Sequence, residues 1–333
     1  MTDKVTTTPI VAPISSFISS PIITIHLVRS GFSDSASVVS EEGASDTIVS
    51  SNEHEGGNVP VAPISSNEAG KSILATSSLH LSALTNHSDY FKSLISFNGV
   101  EFSQKCVYLE TPLDGMDGYS KVAFNCFVDF SYSGSYDLAH YTYVDSRNND
   151  TIPISRHANV ALVYLAAIYI LADKLLSNKL KKCTLVKMRN TLLVLDKKLK
   201  NGSKLFWAEL EKTVGIVFDY TAPSMGSSTD GVSVEDFARK NAHLVDSKER
   251  SAWLGNEPMR KMIAAYLAER WWLQEDGKIN LMEGSVLGRK WLIDQYPELA
   301  TLILGFMLSG STIKLKDMPA SEFGLEEADF GPK

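Results

Sequence analysis

The chain has 333 residues, 44% of them apolar and 21% charged, with a formal net charge of −7. That length can bury a substantial core and exceeds the usual single-domain size, so two domains, or one domain with long irregular segments, are expected. The acidic balance argues against generic binding to nucleic-acid phosphate.

The cysteines Cys106, Cys126 and Cys183 are odd in number and widely separated, which fits small buried hydrophobes in a reducing compartment; no CxxC pair suggests zinc. The opening MTDKVTTTPIVAPISSFISS breaks any apolar run with prolines and serines. No export signal is read there. Residues 1–20 are expected to be a disordered N-terminus, and the protein is expected to be intracellular, cytoplasmic or nuclear.

Pro21 to Val28, PIITIHLV, is β-branched and follows a proline, the pattern of a strand. From Gly31 to Gly70 the composition turns to Ser, Gly, Glu and Asn, too polar to offset its ordering entropy, so 31–70 is expected to be a disordered insert. Val-Ala-Pro-Ile-Ser-Ser occurs at Val11 to Ser16 and again at Val61 to Ser66, which reads as a local duplication or low-complexity drift. Lys71 to Thr76 predicts a second strand, and Ser77 or Ser78 is placed to cap the helix after it. Leu81, Leu84, Tyr90, Phe91 and Leu94 form a helical stripe, with a break between two short helices at Asn86 to Ser88.

Cys106 to Leu109 is a short apolar strand, and Pro112, Gly115 and Gly118 predict a turn. Val122, Ala123, Phe127 and Phe130 recur at helical intervals and predict an amphipathic helix over 119–132. Ala158 to Leu176 is apolar nearly all round, as expected of a helix in the middle of a bundle. Asn178 to Lys204 alternates lysines with Leu180, Leu185, Met188, Leu192 and Leu195, predicting one or two helices with a solvated basic side rather than a nucleic-acid surface.

A polar gap with Pro223, Gly226 and Gly231 precedes a capping-box-like start at Ser233 and Asp236. Pro258 suits the first turn of a helix carrying Met259, Met262, Ile263, Tyr266 and Leu267 on one face. Trp271 and Trp272 point about 100° apart on a helix, so one is a candidate interface anchor, taken as Trp272. A last apolar helix is predicted from Pro297 to Leu308, and the acidic tail after Lys314 lacks periodicity and is expected to be loose. The apolar stretches Ala158 to Ala172 and Leu299 to Leu308 fall short of the roughly 20 residues a membrane-spanning helix needs, so core helices and no membrane contact are expected.

Three strings resemble BTB/POZ domains. Leu79 to Phe91, LHLSALTNHSDYF, resembles the start of that family's first core helix. Phe130 to Tyr136, FSYSGSY, is similar to its "(F/L)-x-Y-(T/S)-G-x-Y" near the third helix, and Tyr169 to Leu175, YILADKL, is similar to the "YVLADKL" of fungal members.

The resemblance covers roughly Pro21 to Leu195. It implies an α+β fold, a small β-sheet packed on a helical cluster over 21–200 and interrupted at 31–70. A mainly helical C-terminal region over 201–313 and the tail at 314–333 would follow. His80, Leu84, Ser88, Phe91, Tyr132, Gly134, Ala172 and Asp173 are the core-motif positions it implies, with Leu94 also in the core and Tyr132-Ser133-Gly134 closing the third helix.

By the same resemblance the protein would be a non-enzymatic interaction module that self-associates as a homodimer or binds a protein partner. An adaptor for a cullin-type ubiquitin ligase is the alternative, and a small-molecule enzyme with a site between the helical regions the second alternative. The corresponding partner-binding segment carries Val100, Glu101 and Phe102; cullin-recruiting members separate the hydrophobic and acidic residues by one position, whereas Glu101 directly follows Val100 here.

Chemistry-bearing patterns are sparse. Gly70-Lys71-Ser72 lacks the upstream glycine of a phosphate loop, Ser65 standing there, and no GxSxG elbow frames a nucleophile. His80 and His87 are seven apart without acidic or cysteine ligands beside them, so His80 is read as a polar group satisfied near a helix start. No catalytic residue, cofactor or metal is expected.

Overall fold

The computed structural model describes residues 19–29, 72–97, 100–111, 113–145, 149–198, 204–221, 257–272, 292, 294–308, 315–326 and 329. The expected insert at 31–70, the repeated VAPISS segments, the N-terminal 18 residues and the Ser233 start lie outside them.

A three-stranded sheet opens the fold, in the order β2-β1-β3, with β1 (Ile22–Val28) central, β2 (Ile73–His80) antiparallel to it and β3 (Cys106–Glu110) parallel. Alternation along β1 decides which face is covered: Ile23, Ile25 and Leu27 are buried. A register shift between Leu27 and Val28 turns Val28 inward as well. On the opposite face His26 Nδ1 lies 2.8 Å from Thr76 Oγ1, and its ring stacks on Tyr108 at 5.1 Å. This outer face is therefore polar. The strand β2 extends to His80, so Ser77 and Ser78 pair with Ile25 and Thr24 instead of capping the next helix.

Between β2 and β3 come three short helices, α1 (Leu81–His87), α2 (Asp89–Ser96) and α3 (Val100–Gln104). The break predicted at Asn86 to Ser88 falls at Ser88, whose extended backbone separates α1 from α2 and whose hydroxyl accepts the N–H of Phe91 at 3.3 Å. Helix α4 (Asp117–Ser133) starts two residues earlier than the apolar spacing predicts, so Gly118 sits in its first turn, while Gly115 alone takes the left-handed turn conformation at φ +69°. A hairpin of β4 (Thr142–Asp145) and β5 (Asp150–Pro153) follows.

Helix α5 (Ala158–Lys174) is the axis of the molecule, every residue from Ala161 to Ala172 being buried. Helices α4, α6 (Asn178–Lys198) and α7 (Lys204–Tyr220) all pack on it. That enclosure is why its sequence shows no polar face. Along α6 the predicted stripe is buried residue for residue, from Leu180 to Leu195.

Helices α8 (Pro258–Trp272) and α9 (Pro297–Leu308) pack on each other. The expectation of a one-sided α8 needs correcting, because Met262 to Ala268 are all buried, enclosed by α6, α7, α9 and the chain end together. Arg260, only 2% exposed, ties these elements: its guanidinium donates to Phe218 O at 2.8 Å, Thr221 Oγ1 at 2.8 Å and Glu298 Oε2 at 3.2 Å.

The described residues after Lys314 are not loose. Leu315–Asp317 and Ala320–Phe323 form 3-10 turns, and Leu315, Met318, Ala320, Phe323 and Leu325 are buried, because apolar side chains spaced irregularly still find a surface where tertiary contacts supply one. One apolar cluster runs from Ile23 to Leu325. The architecture is thus mixed α and β, with one sheet of three strands and another of two. Among the described residues no helix is long and apolar enough to cross a membrane.

Candidate functional site

The three sequence strings singled out above meet in space. His80, at the end of β2, donates its backbone N–H to the hydroxyl of Tyr132 at 2.9 Å, and its Nδ1 lies 3.0 Å from the same oxygen. The rings are edge to face at 6.0 Å. Ser88, 1% exposed, donates its hydroxyl to Leu175 O at 2.6 Å while accepting from Phe91. The N–H groups of Asp89 and Tyr90 face the carbonyls of Leu176 and Leu175 at 3.4 Å, so the end of α5 satisfies orphan donors at the start of α2. Tyr136 closes the second string against α6 by donating to Thr184 Oγ1 at 3.0 Å, and burial holds its phenol well above the usual range.

Leu84 and Phe91 are fully buried, Phe91 stacked on Phe127 at 6.1 Å; Leu94 is half-buried against the same core. Gly134 ends α4 in the left-handed conformation at φ +72°, its N–H donating to Phe130 O at 2.8 Å. Ala172 is buried and its carbonyl accepts the N–H of Ser177. Asp173 departs from a core role: it faces solvent and pairs with Lys181 at 2.6 Å, because the α5 face it occupies is the one turned outward at the last turn. His87 packs edge-on to Phe130 at 5.1 Å, and burial, with Lys179 and Lys92 adding to it, pulls its imidazole below the usual histidine range.

Of the expected partner-binding residues, Glu101 is exposed on α3. The side chains of Val100, Phe102 and Trp272 lie outside the described residues. Nor is the basic side of α6 simply solvated. Lys181 reaches Asp173, Lys182 pairs with Glu326 at 3.5 Å and Asp329 at 3.9 Å, and Arg189 donates to three carbonyls of the chain end.

What the sequence reading missed is an open groove of about 560 Å³ between α4 and the β4 strand. One wall is Lys121, Val122 and Asn125 on α4; the other is the run His140 to Val144, with Tyr119 and Tyr164 beneath. The tyrosines are held firmly. Tyr141 donates to Asp129 Oδ2 at 2.5 Å, the hydroxyl of Tyr143 lies 2.5 Å from His157 Nδ1, and Tyr119 packs on Tyr164 at 4.7 Å while accepting from Lys212 Nζ at 2.9 Å. Burial pushes Tyr164 up to about 12, with Tyr119 and Glu209 nearby adding to it, and burial together with the Asp129 carboxylate raises Tyr141.

Held protonated at neutral pH, these two phenols present ring surface and hydroxyl groups that can hydrogen-bond. Val144, 60% exposed, stands at the rim. The only signal in the sequence was the two-residue alternation of Tyr141 and Tyr143 in a short β-type run.

Among the described residues no group of three or more His, Cys, Asp and Glu side chains is placed to hold a metal ion. The chain matches no protein-family model, and comparison with curated proteins and with solved structures finds no match either.

Proposed function

We propose that this chain is a non-enzymatic protein–protein interaction module of the BTB/POZ kind, which self-associates or holds a protein partner. The observation that carries the reading is the convergence of the three resembling strings on one another, through His80 with Tyr132 and Ser88 with Leu175. Residues far apart in sequence that share a motif pattern and also share hydrogen bonds act as one structural unit. The tyrosine-lined groove adds support, since tyrosine is enriched in the buried centre of protein interfaces and anchored rings lose little freedom on binding.

Size-exclusion chromatography of the full chain with in-line light scattering tests self-association, and a pull-down with the immobilised chain, eluates compared with a bare-resin control, tests partner binding. The expected outcome is a mass of two chains or a specifically retained protein. A strictly single-chain mass together with nothing retained above the control overturns the reading.

A further inference from the structure

The chain end is seated in a groove between α6 and α8, yet it is not woven into either. Only its second turn bonds its own backbone, Glu322 N–H donating to Pro319 O, Gly324 N–H to Ser321 O and Leu325 N–H to Ala320 O, each at 3.1 Å, while at its start Leu315 N–H donates to the Glu269 carboxylate of α8 at 2.9 Å. Such a segment keeps its internal hydrogen bonds when it leaves the surface, unlike a strand pulled from a sheet. What holds it is side chains. Phe323 and Leu315 are fully buried, with Met318 and Leu325 nearly so. Arg189 on α6 donates through Nη2 to the carbonyls of Leu315 at 3.3 Å, Lys316 at 3.3 Å and Met318 at 2.8 Å, and its guanidinium lies 5.9 Å from the Phe323 ring centre. Those contacts read main chain, which any peptide presents.

Half-buried cations flank the apolar seat, Lys182 facing Glu326 and Asp329 and Lys261 facing Glu322 at 3.8 Å. A main-chain clamp, apolar pockets and a cationic rim together are the elements of a peptide-recognition site. Here the occupant is supplied in cis, where tethering raises its effective concentration.

We propose that residues 315–326 are a displaceable strap filling a peptide-binding groove between α6 and α8, and that the groove takes an acidic peptide of the same apolar spacing from another protein. This stands apart from the tyrosine groove and from self-association.

The test uses the full chain and a fluorescein-labelled synthetic peptide of residues 313–330 as probe, read by anisotropy. F323A, which removes the strap's largest buried side chain, is expected to bind the probe about tenfold or more tightly than wild type, because a larger fraction of its grooves is open. Adding R189A is expected to remove that gain, and a scrambled peptide of equal composition to bind neither variant. Hydrogen exchange on the wild-type chain is expected to show the amides of 322–325 opening without α5. Equal probe binding by wild type and F323A, equal binding of the scrambled peptide, unfolding of F323A, or strap amides exchanging in step with α5 each overturns the proposal.

Discussion

Tyr169, on α5, donates its phenol hydrogen to the carboxylate of Glu257, the residue just before α8 and 88 positions further along the chain, and thereby joins the two helices. Burial raises the Glu257 carboxyl above its ordinary value of 4.5, against the opposing pull of the Tyr169 hydrogen bond and of Lys181. A carboxyl whose folded-state value lies above its unfolded one is held more tightly protonated by the native chain. Its contribution is therefore most favourable below pH 4.5 and is lost as pH rises through the raised value. E257Q keeps an acceptor for Tyr169 without the charge. Urea denaturation is expected to show the variant more stable than wild type at pH 7, with the gap narrowing toward pH 4.5; a gap that widens on acidification contradicts this.

Phe91 is 0% exposed and stacks on Phe127 across the seam between α2 and α4. F91A removes a ring that the surrounding helices cannot collapse to replace. A loss of about 3 to 5 kcal/mol in unfolding free energy is expected from equilibrium urea curves. A midpoint equal to that of wild type would show the ring is not packed in this core.

Ser88 serves two helices at once, capping α2 and donating to the last turn region of α5. S88A leaves the Leu175 carbonyl and the Phe91 N–H without their side-chain partner. The expected destabilisation is about 1 to 2 kcal/mol by thermal or chemical melting. S88T, which retains a hydroxyl, is expected to recover part of it, and a threonine variant no better than alanine would argue for shape rather than hydrogen bonding.

Two left-handed residues offer opposite experiments. Leu176 follows α5 at φ +51°, 54% exposed, with the paired Leu176 N–H to Asp173 O and Ser177 N–H to Ala172 O bonds of a helix-closing motif that ordinarily uses glycine. L176G is expected to raise stability by about 1 kcal/mol by relieving that conformation. Gly134 already is glycine, and a Cβ there would meet nothing within 4 Å. G134A is therefore expected to lower stability by about 1 kcal/mol through backbone conformation alone. Calorimetric midpoints that move the other way would refute the assignments.

Much of the helical framework was legible residue by residue. The all-apolar run of α5, the buried stripe of α6 and the bounds of α9 follow from the apolar pattern, the break at Ser88 follows from turn-prone local sequence, and the close at Gly134 was expected from the family resemblance and fits glycine's ease in the left-handed conformation. Boundaries set by pairing were not. Ser77 and Ser78 look like caps and are strand residues because β1 offers them partners, and the segment after Lys314 lacks any period because its buried side chains answer to a groove made by α6 and α8. The candidate groove between α4 and β4 was equally hidden, its wall residues at 121–125 and 140–144 lying on either side of the second string.

Taken alone, the order of residues determined the longer helices and the opening strands, and most of the faces of them that avoid water, because those choices depend on neighbours a few positions away. Only the folded chain decided that His80 meets Tyr132, that Tyr169 meets Glu257, that Asp173 faces solvent and that Arg189 grips the chain end. Each of these depends on where distant elements come to rest, and that is settled by closing one apolar interior around α5 rather than by any local preference.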